Sequence, residues 1–65
     1  METESKRYLT ENEVSKITGR AVQTLRNDRM AGQGIPYVKM SKSVRYLYGD
    51  VINFMEARKI QTKPL

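Results

Sequence analysis

Apolar residues near the start of the chain recur at the spacing of one face of a helix, beginning at Val14. Gly19 follows and suits the left-handed conformation that ends many helices. Before Val14, Thr10 and Glu13 have the spacing of a capping box, in which each side chain accepts a hydrogen bond from the other residue's backbone N–H. The pattern therefore predicts a first helix from about Glu11 to Thr18.

A second helical segment follows after a short break. Residues 20–32 contain good helix formers and no proline, and they end in a glycine. A connection this short makes the two helices cross steeply, as in a DNA-binding helix-turn-helix. We expect Leu25 to anchor this helix in the core. Four polar side chains carry groups that can read bases and phosphates: Gln23, Arg26, Asn27 and Arg29.

The spacing of apolar residues changes to two after Gly34, which is the period of a strand. Residues 35–40 and 44–48 are rich in β-branched and aromatic side chains, and Ser41-Lys42-Ser43 separates them as a hairpin loop. Four apolar residues are expected to face the helices: Val38, Met40, Val44 and Tyr46. Three basic residues would then face solvent or lie at the tip: Lys39, Arg45 and Lys42.

A third helix, from about Gly49 to Lys59, is predicted after the hairpin. Val51, Phe54 and Met55 form its apolar stripe, and Asp50 lies in a first turn, where negative charge is favourable. We expect the stripe to close the core.

At 65 residues the chain is one small domain that buries only about 60 per cent of its unfolded surface. It has no cysteine that could stabilise the domain by a disulfide. The expected class is α+β: two short helices, a β-hairpin and a C-terminal helix over residues 8–59. Segments 1–7 and 60–65 lack a helical or strand pattern, and we expect them to be mobile.

Positive charge is concentrated in the middle of the chain. From Lys16 to Arg45 there are seven basic residues and a single acid, Asp28, so this stretch carries +6 where the whole chain carries +5. Phosphate backbones are the commonest partners of such a stripe, because binding them releases counterions. A membrane surface is a weaker alternative, since no predicted helix is long and apolar enough on one side.

Two simpler interpretations compete with nucleic-acid binding. A polar helix face with two arginines is often only solvated, and a hairpin can be purely structural, with polar residues on its wet side. The segregation of charge favours a functional surface, and a lysine at the hairpin tip favours contact with phosphates or a minor groove.

Six short pieces of the sequence occur in a characteristic order and spacing: Leu9-Thr10 with Glu13-Val14, Gly19, Thr24-Leu25-Arg26, Gly34-Ile35-Pro36-Tyr37, Val44-Arg45-Tyr46 and Asp50-Val51. With these pieces, residues 8–59 resemble the small excisionase and AlpA-like proteins of phages and mobile elements, members of the MerR-like winged helix-turn-helix superfamily. The sequence departs from that family at two positions. Ala21 stands where a serine usually caps the second helix, and Asp28 replaces an aromatic residue, so it either weakens phosphate attraction or pairs with an arginine.

The resemblance implies that the second helix enters the major groove while the hairpin, as the wing, touches the adjacent minor groove or its backbone. The DNA-binding residues of the second helix would be Arg20, Val22, Gln23, Thr24, Arg26, Asn27 and Arg29. Those of the wing would be Lys39, Lys42, Ser43 and Arg45.

The inventory of reactive side chains argues against an enzyme. The chain has no histidine and no cysteine, so it lacks the usual general base, thiol nucleophile and zinc ligands. Its tyrosines fall at positions that packing explains. We therefore expect no catalysis, no cofactor, no metal and no small-molecule substrate.

Three functions remain possible. The chain could be an excisionase that assists an integrase, an AlpA-like transcriptional regulator, or a protein-interaction module that presents its basic side to an acidic partner. The first two require double-stranded DNA, and we expect cooperative head-to-tail association on it, because one small module binds weakly. No signal peptide or membrane-length apolar run is present, so a cytoplasmic location is expected.

Overall fold

Three helices and a three-stranded antiparallel sheet form the fold in a computed structural model that describes residues 6–62. Along the chain the elements are β1 (Tyr8–Leu9), α1 (Glu11–Thr18), α2 (Val22–Met30), β2 (Val38–Met40), β3 (Ser43–Leu47) and α3 (Tyr48–Glu56). β3 lies in the middle of the sheet, between β1 and β2. The predicted α+β class is confirmed. None of the helices in residues 6–62 is long and apolar enough to cross a membrane.

α1 begins and ends where its sequence predicts. Thr10 Oγ1 accepts from the Glu13 N–H at 3.2 Å, and Glu13 Oε1 accepts from the Thr10 N–H at 2.8 Å. The Thr10 N–H also lowers the pKa of the Glu13 carboxyl. Gly19, with a φ of 76°, ends the helix by donating its N–H to the Ser15 carbonyl.

Side-chain hydroxyls hold the turn between α1 and α2. Ser15 Oγ donates to the Arg20 carbonyl at 2.7 Å, and Thr18 Oγ1 accepts from the Arg20 N–H at 3.2 Å. α2 then starts after Ala21, whose methyl group cannot accept a hydrogen bond from the first turn. The turn is therefore well fixed, while α2 lacks the stabilisation of about 1 kcal/mol that a capping side chain supplies.

The hairpin turns in two residues instead of the three that the sequence suggested. Val38 pairs with Arg45, which leaves only Ser41 and Lys42 in the turn. Residues directly opposite each other in an antiparallel pair share a face, and a shift of one residue moves a whole strand's side chains to the other face. The prediction that Val38 and Met40 face the helices is therefore wrong.

The two faces of the sheet follow from this register. Lys39 pairs with Val44 and so lies on the helix side of the sheet, with Tyr46, which corrects the expectation that it would face away. The opposite side carries six residues, which we call the outer sheet face: Tyr8, Val38, Met40, Ser43, Arg45 and Leu47.

The strand β1 was not predicted. Leu9 pairs with Tyr46, and the Tyr48 N–H donates to the Arg7 carbonyl at 2.7 Å, so the segment before α1 is joined to β3 and α3. The two ends for which mobility was predicted lie partly outside residues 6–62. Residues 60–62 belong to no helix or strand.

Six buried side chains form the core: Leu9, Val14, Leu25, Ile35, Tyr46 and Val51. They come from β1, α1, α2, the loop before β2, β3 and α3, so one cluster joins the three helices to the sheet. Full burial of a large apolar side chain stabilises a fold by about 1.5–3 kcal/mol. The expectation that Leu25 anchors α2 is confirmed.

α3 closes the core with part of its predicted stripe. Val51 is buried and Phe54 packs against the core, whereas Met55 is exposed. Asp50 lies in the first turn as predicted, and the helix ends at Glu56, earlier than the sequence suggested.

Candidate nucleic-acid interface

One side of α2 is exposed along its whole length. Gln23, Arg26, Asn27 and Met30 recur at i, i+3, i+4 and i+7, on the side away from the buried Leu25. Gln23 Nε2 donates to Asn27 Oδ1 at 3.0 Å, and the Met30 side chain is 86% exposed. We call these four residues the α2 stripe. It presents amide and guanidinium groups beside one apolar side chain.

A concave surface lies between α2 and the hairpin. One cleft of about 520 Å³ is lined by Arg29, Met30, Tyr37, Lys39, Ser41, Lys42 and Val44. A second, of about 350 Å³, is lined by Glu11, Arg26, Arg29, Lys42, Ser43, Val44 and Arg45. Because the two clefts share three lining residues, they form one continuous surface, which we call the hairpin groove.

Positive charge dominates the hairpin groove. Five cationic side chains line it: Arg26, Arg29, Lys39, Lys42 and Arg45. Glu11 is the only carboxylate that lines it within the part of the chain described, so the net charge is +4. A concave surface with charge of one sign concentrates the electrostatic potential and attracts anions such as phosphate.

Glu11, at the start of α1, forms ion pairs with two arginines of α2. Its carboxylate accepts from Arg26 Nε at 3.2 Å and from Arg26 Nη2 at 2.5 Å, and from Arg29 Nη1 at 3.3 Å. The hydrogen bond from Arg26 is the main cause that lowers the pKa of the Glu11 carboxyl; burial opposes it and Arg29 adds to it. Glu11 is therefore charged at neutral pH and offsets part of the charge of the groove.

Arg29 is held within the wall of the groove. Its side chain is only 16% exposed, and its Nη1 donates to the Tyr46 hydroxyl at 2.6 Å. The guanidinium also lies 5.7 Å from the centre of the Tyr37 ring. Arg29 was predicted to read bases or phosphates; in this position it lines both clefts, and its guanidinium donates to Tyr46 and Glu11.

Arg20 points away from the α2 stripe. Its Nη2 donates to Asp28 Oδ2 at 2.6 Å, and its guanidinium carbon lies 5.9 Å from the centre of the Phe54 ring. Of the two consequences that the sequence allowed for Asp28, the structure has the ion pair with an arginine. Arg20 thus lies on the α3 side of α2, apart from the other predicted site residues.

The remaining predicted residues divide between the groove and its margins. Val22 and Thr24 are half-buried and lie outside the α2 stripe. Ser43 is exposed at the start of β3 and lines the groove. Arg45 lies on the outer sheet face, donates its Nη1 to the Val44 carbonyl at 2.8 Å and still reaches the groove.

Five residues that line the hairpin groove were not among the predicted site residues: Glu11, Met30, Tyr37, Ser41 and Val44. Met30 could have been found, because it continues the helical spacing of Gln23 and Asn27. Glu11 gave no local signal, since its partner Arg26 is 15 positions away and its charge was already explained by the α1 dipole.

The arrangement offers two kinds of contact on one side of the molecule. The α2 stripe has donors and acceptors on an exposed helix face, and the groove beside it has cations that suit phosphate oxygens. No known protein family, curated protein sequence or solved structure matches this chain.

Proposed function

We propose that this chain is a sequence-specific double-stranded DNA-binding protein with a winged helix-turn-helix fold, acting for a phage or mobile element as an excisionase or an AlpA-like transcriptional regulator. α1 and α2 form the helix-turn-helix, and the hairpin of β2 and β3 is the wing. α2 enters the major groove, while the wing contacts the adjacent minor groove or backbone.

The observation that carries the proposal is the position of the α2 stripe beside a cationic groove. A major groove is wide enough for one α-helix, and α2 is the helix whose exposed side carries side chains suited to base edges. On the other side of the hairpin groove, Lys42 lies in the turn of the wing, where it can reach a phosphate. Base-reading and phosphate-binding groups thus face the same side.

The residues divide by role in this proposal. Gln23 and Asn27 suit the paired donor and acceptor of an adenine, and Arg26 suits the two acceptors of a guanine. Lys39, Lys42, Ser43 and Arg45 bind phosphates or the minor groove. Arg29 supports the wall of the groove, and we leave Arg20 out of the DNA-contacting set because it pairs with Asp28.

The partners follow from the small size of the module. One short helix and one wing contact only a few base pairs, so affinity would come from several copies bound head-to-tail on repeated sites. As an excisionase the chain would also meet an integrase on the same DNA. We place this activity in the cytoplasm, where the element's DNA lies.

The experiment is a nuclease footprint of purified protein on the DNA around its own gene and any nearby element end, with random competitor DNA present. Protection of spaced repeats at an element end would favour the excisionase, and protection over a promoter would favour the regulator. No protection by folded protein would contradict the proposal and would favour the protein-interaction module instead.

A further inference from the structure

A chain of hydrogen bonds runs from the buried core to Arg26 on the α2 stripe. Arg29 Nη1 donates both to the Tyr46 hydroxyl and to Glu11, and Glu11 in turn accepts from Arg26 Nε and Nη2. Tyr46 itself is 1% exposed. The guanidinium of Arg26 is therefore fixed relative to the core, although about half of this side chain (51%) is exposed.

Glu11 occupies only one edge of that guanidinium. A guanidinium has five N–H donors in one plane, and Glu11 takes the Nε donor and one donor of Nη2. Within residues 6–62 Arg26 makes no hydrogen bond to any other residue. One donor each of Nη1 and Nη2 remains at the far end, and this pair matches the O6 and N7 acceptors of guanine.

We propose that Glu11 is a positioning residue that holds Arg26 for the recognition of a guanine in the major groove. The inference rests on the proposed function and names the base that α2 reads. Because Arg26 is already ordered, its contact with a base costs less side-chain entropy. The same carboxylate places negative charge in the groove and weakens binding to DNA of any sequence. Glu11 thus increases selectivity and lowers nonspecific affinity.

The variant Glu11→Gln tests this combination, because glutamine has nearly the same shape without the charge. Binding is measured at a series of salt concentrations, to a random duplex and to duplexes in which each position of the footprinted site is replaced in turn. A bidentate arginine discriminates for guanine by about 5- to 150-fold. We expect E11Q to lose at least about fivefold of that preference at one position and to bind the random duplex more tightly.

A double-mutant cycle shows whether Glu11 acts through Arg26. Arg26→Ala should lose the same preference, and adding E11Q to it should change the preference no further. Arg26→Lys keeps the charge but not the planar fork, so it should lose the guanine preference. The slope of the logarithm of the binding constant against the logarithm of salt concentration, the salt slope, should stay unchanged. This variant serves as the test if E11Q does not fold. Glu56→Gln removes an exposed carboxylate of α3 that pairs with Lys59 and should leave the preference intact.

Two results would overturn the inference in different ways. If E11Q tightens binding to the site and to the random duplex by one common factor and keeps the guanine preference, Glu11 only competes with DNA for Arg26. If the wild-type protein binds every duplex alike, the proposed function fails, and the role of Glu11 fails with it. The wild-type measurement therefore separates the two failures.

Discussion

At the scale of the residue, Gly34 packs closely against Asp28 of α2. Its φ is 91°, and a Cβ added to it would lie 2.8 Å from the Cβ of Asp28, whose carboxylate pairs with Arg20. Gly34→Ala therefore combines backbone strain with a clash. We expect a loss of about 1–3 kcal/mol in the free energy of unfolding, measured by thermal or urea denaturation.

Gly32 provides the matched control for this substitution. Its φ is also positive, at 72°, but an added Cβ would have no atom within 4 Å. Gly32→Ala should therefore show only the left-handed penalty of about 1–2 kcal/mol. Equal losses for the two variants would mean that the contact with Asp28 relaxes freely.

The sequence predicted the interactions whose two partners lie close together along the chain. The capping box of Thr10 and Glu13 and the left-handed Gly19 were predicted, because each interaction lies within one helical turn. The pair formed by Glu11 and Arg26 was not, because it exists only after the two helices have crossed. Several residues that line the hairpin groove could thus be named from sequence, whereas the hydrogen-bond partner of Arg26 could not.

At the scale of the element, a capping side chain at the start of α2 would stabilise the fold. Ala21 occupies the N-cap with extended backbone angles (φ −64°, ψ 147°) and is exposed, so a serine fits there and can accept from the first turn. Ala21→Ser should raise the free energy of unfolding by about 1 kcal/mol, measured by thermal denaturation. The capped helix α1 offers the opposite control, since Thr10→Ala should cost about the same amount. An unchanged or lower stability for A21S would show that α2 does not start at this residue in solution.

The contact between α1 and α2 should depend on pH through Glu11. Because Arg26, and with it Arg29, lowers the pKa of this carboxyl in the fold, the stabilisation is fully present above the unfolded value of about 4.3. It is lost as the pH falls through the lower folded pKa. E11Q should therefore lose less stability than the wild-type protein on acidification, measured by urea denaturation at a series of pH values. Parallel profiles would show that the ion pairs contribute little in solution.

The hairpin shows why strand faces were harder to predict than helices. A three-residue loop would place Val38 and Met40 beside Val44 and Tyr46, whereas the two-residue turn moves β2 by one position and reverses its faces. β1 could not be predicted because two residues are too few to show the alternating pattern of a strand. Its partner strand also lies far along the chain.

At the scale of the whole molecule, five cationic side chains lie on the side where α2 and the hairpin meet. If Lys42 binds phosphate without reading sequence, Lys42→Ala should weaken binding to all duplexes by a similar factor and make the salt slope shallower by about one. Salt titrations of the site and of a random duplex measure both effects.

Lys59 is the control for Lys42, because it lies beyond the end of α3 and pairs with Glu56 instead of lining the groove. Lys59→Ala should leave the salt slope unchanged. A loss at Lys42 confined to one DNA sequence would assign this lysine to base reading and contradict its role in the wing.

The most direct test of the central claim is to map the DNA-contacting surface by NMR, adding duplex DNA at low salt to isotope-labelled protein. We predict that the largest amide shifts fall on the α2 stripe and on the hairpin turn at Ser41 and Lys42, while Tyr8, Val38, Leu47 and α3 change little. Shifts concentrated on Tyr8, Val38, Leu47 and α3, or no shifts at any DNA concentration, would contradict the assignment of α2 and the hairpin as the DNA-binding surface.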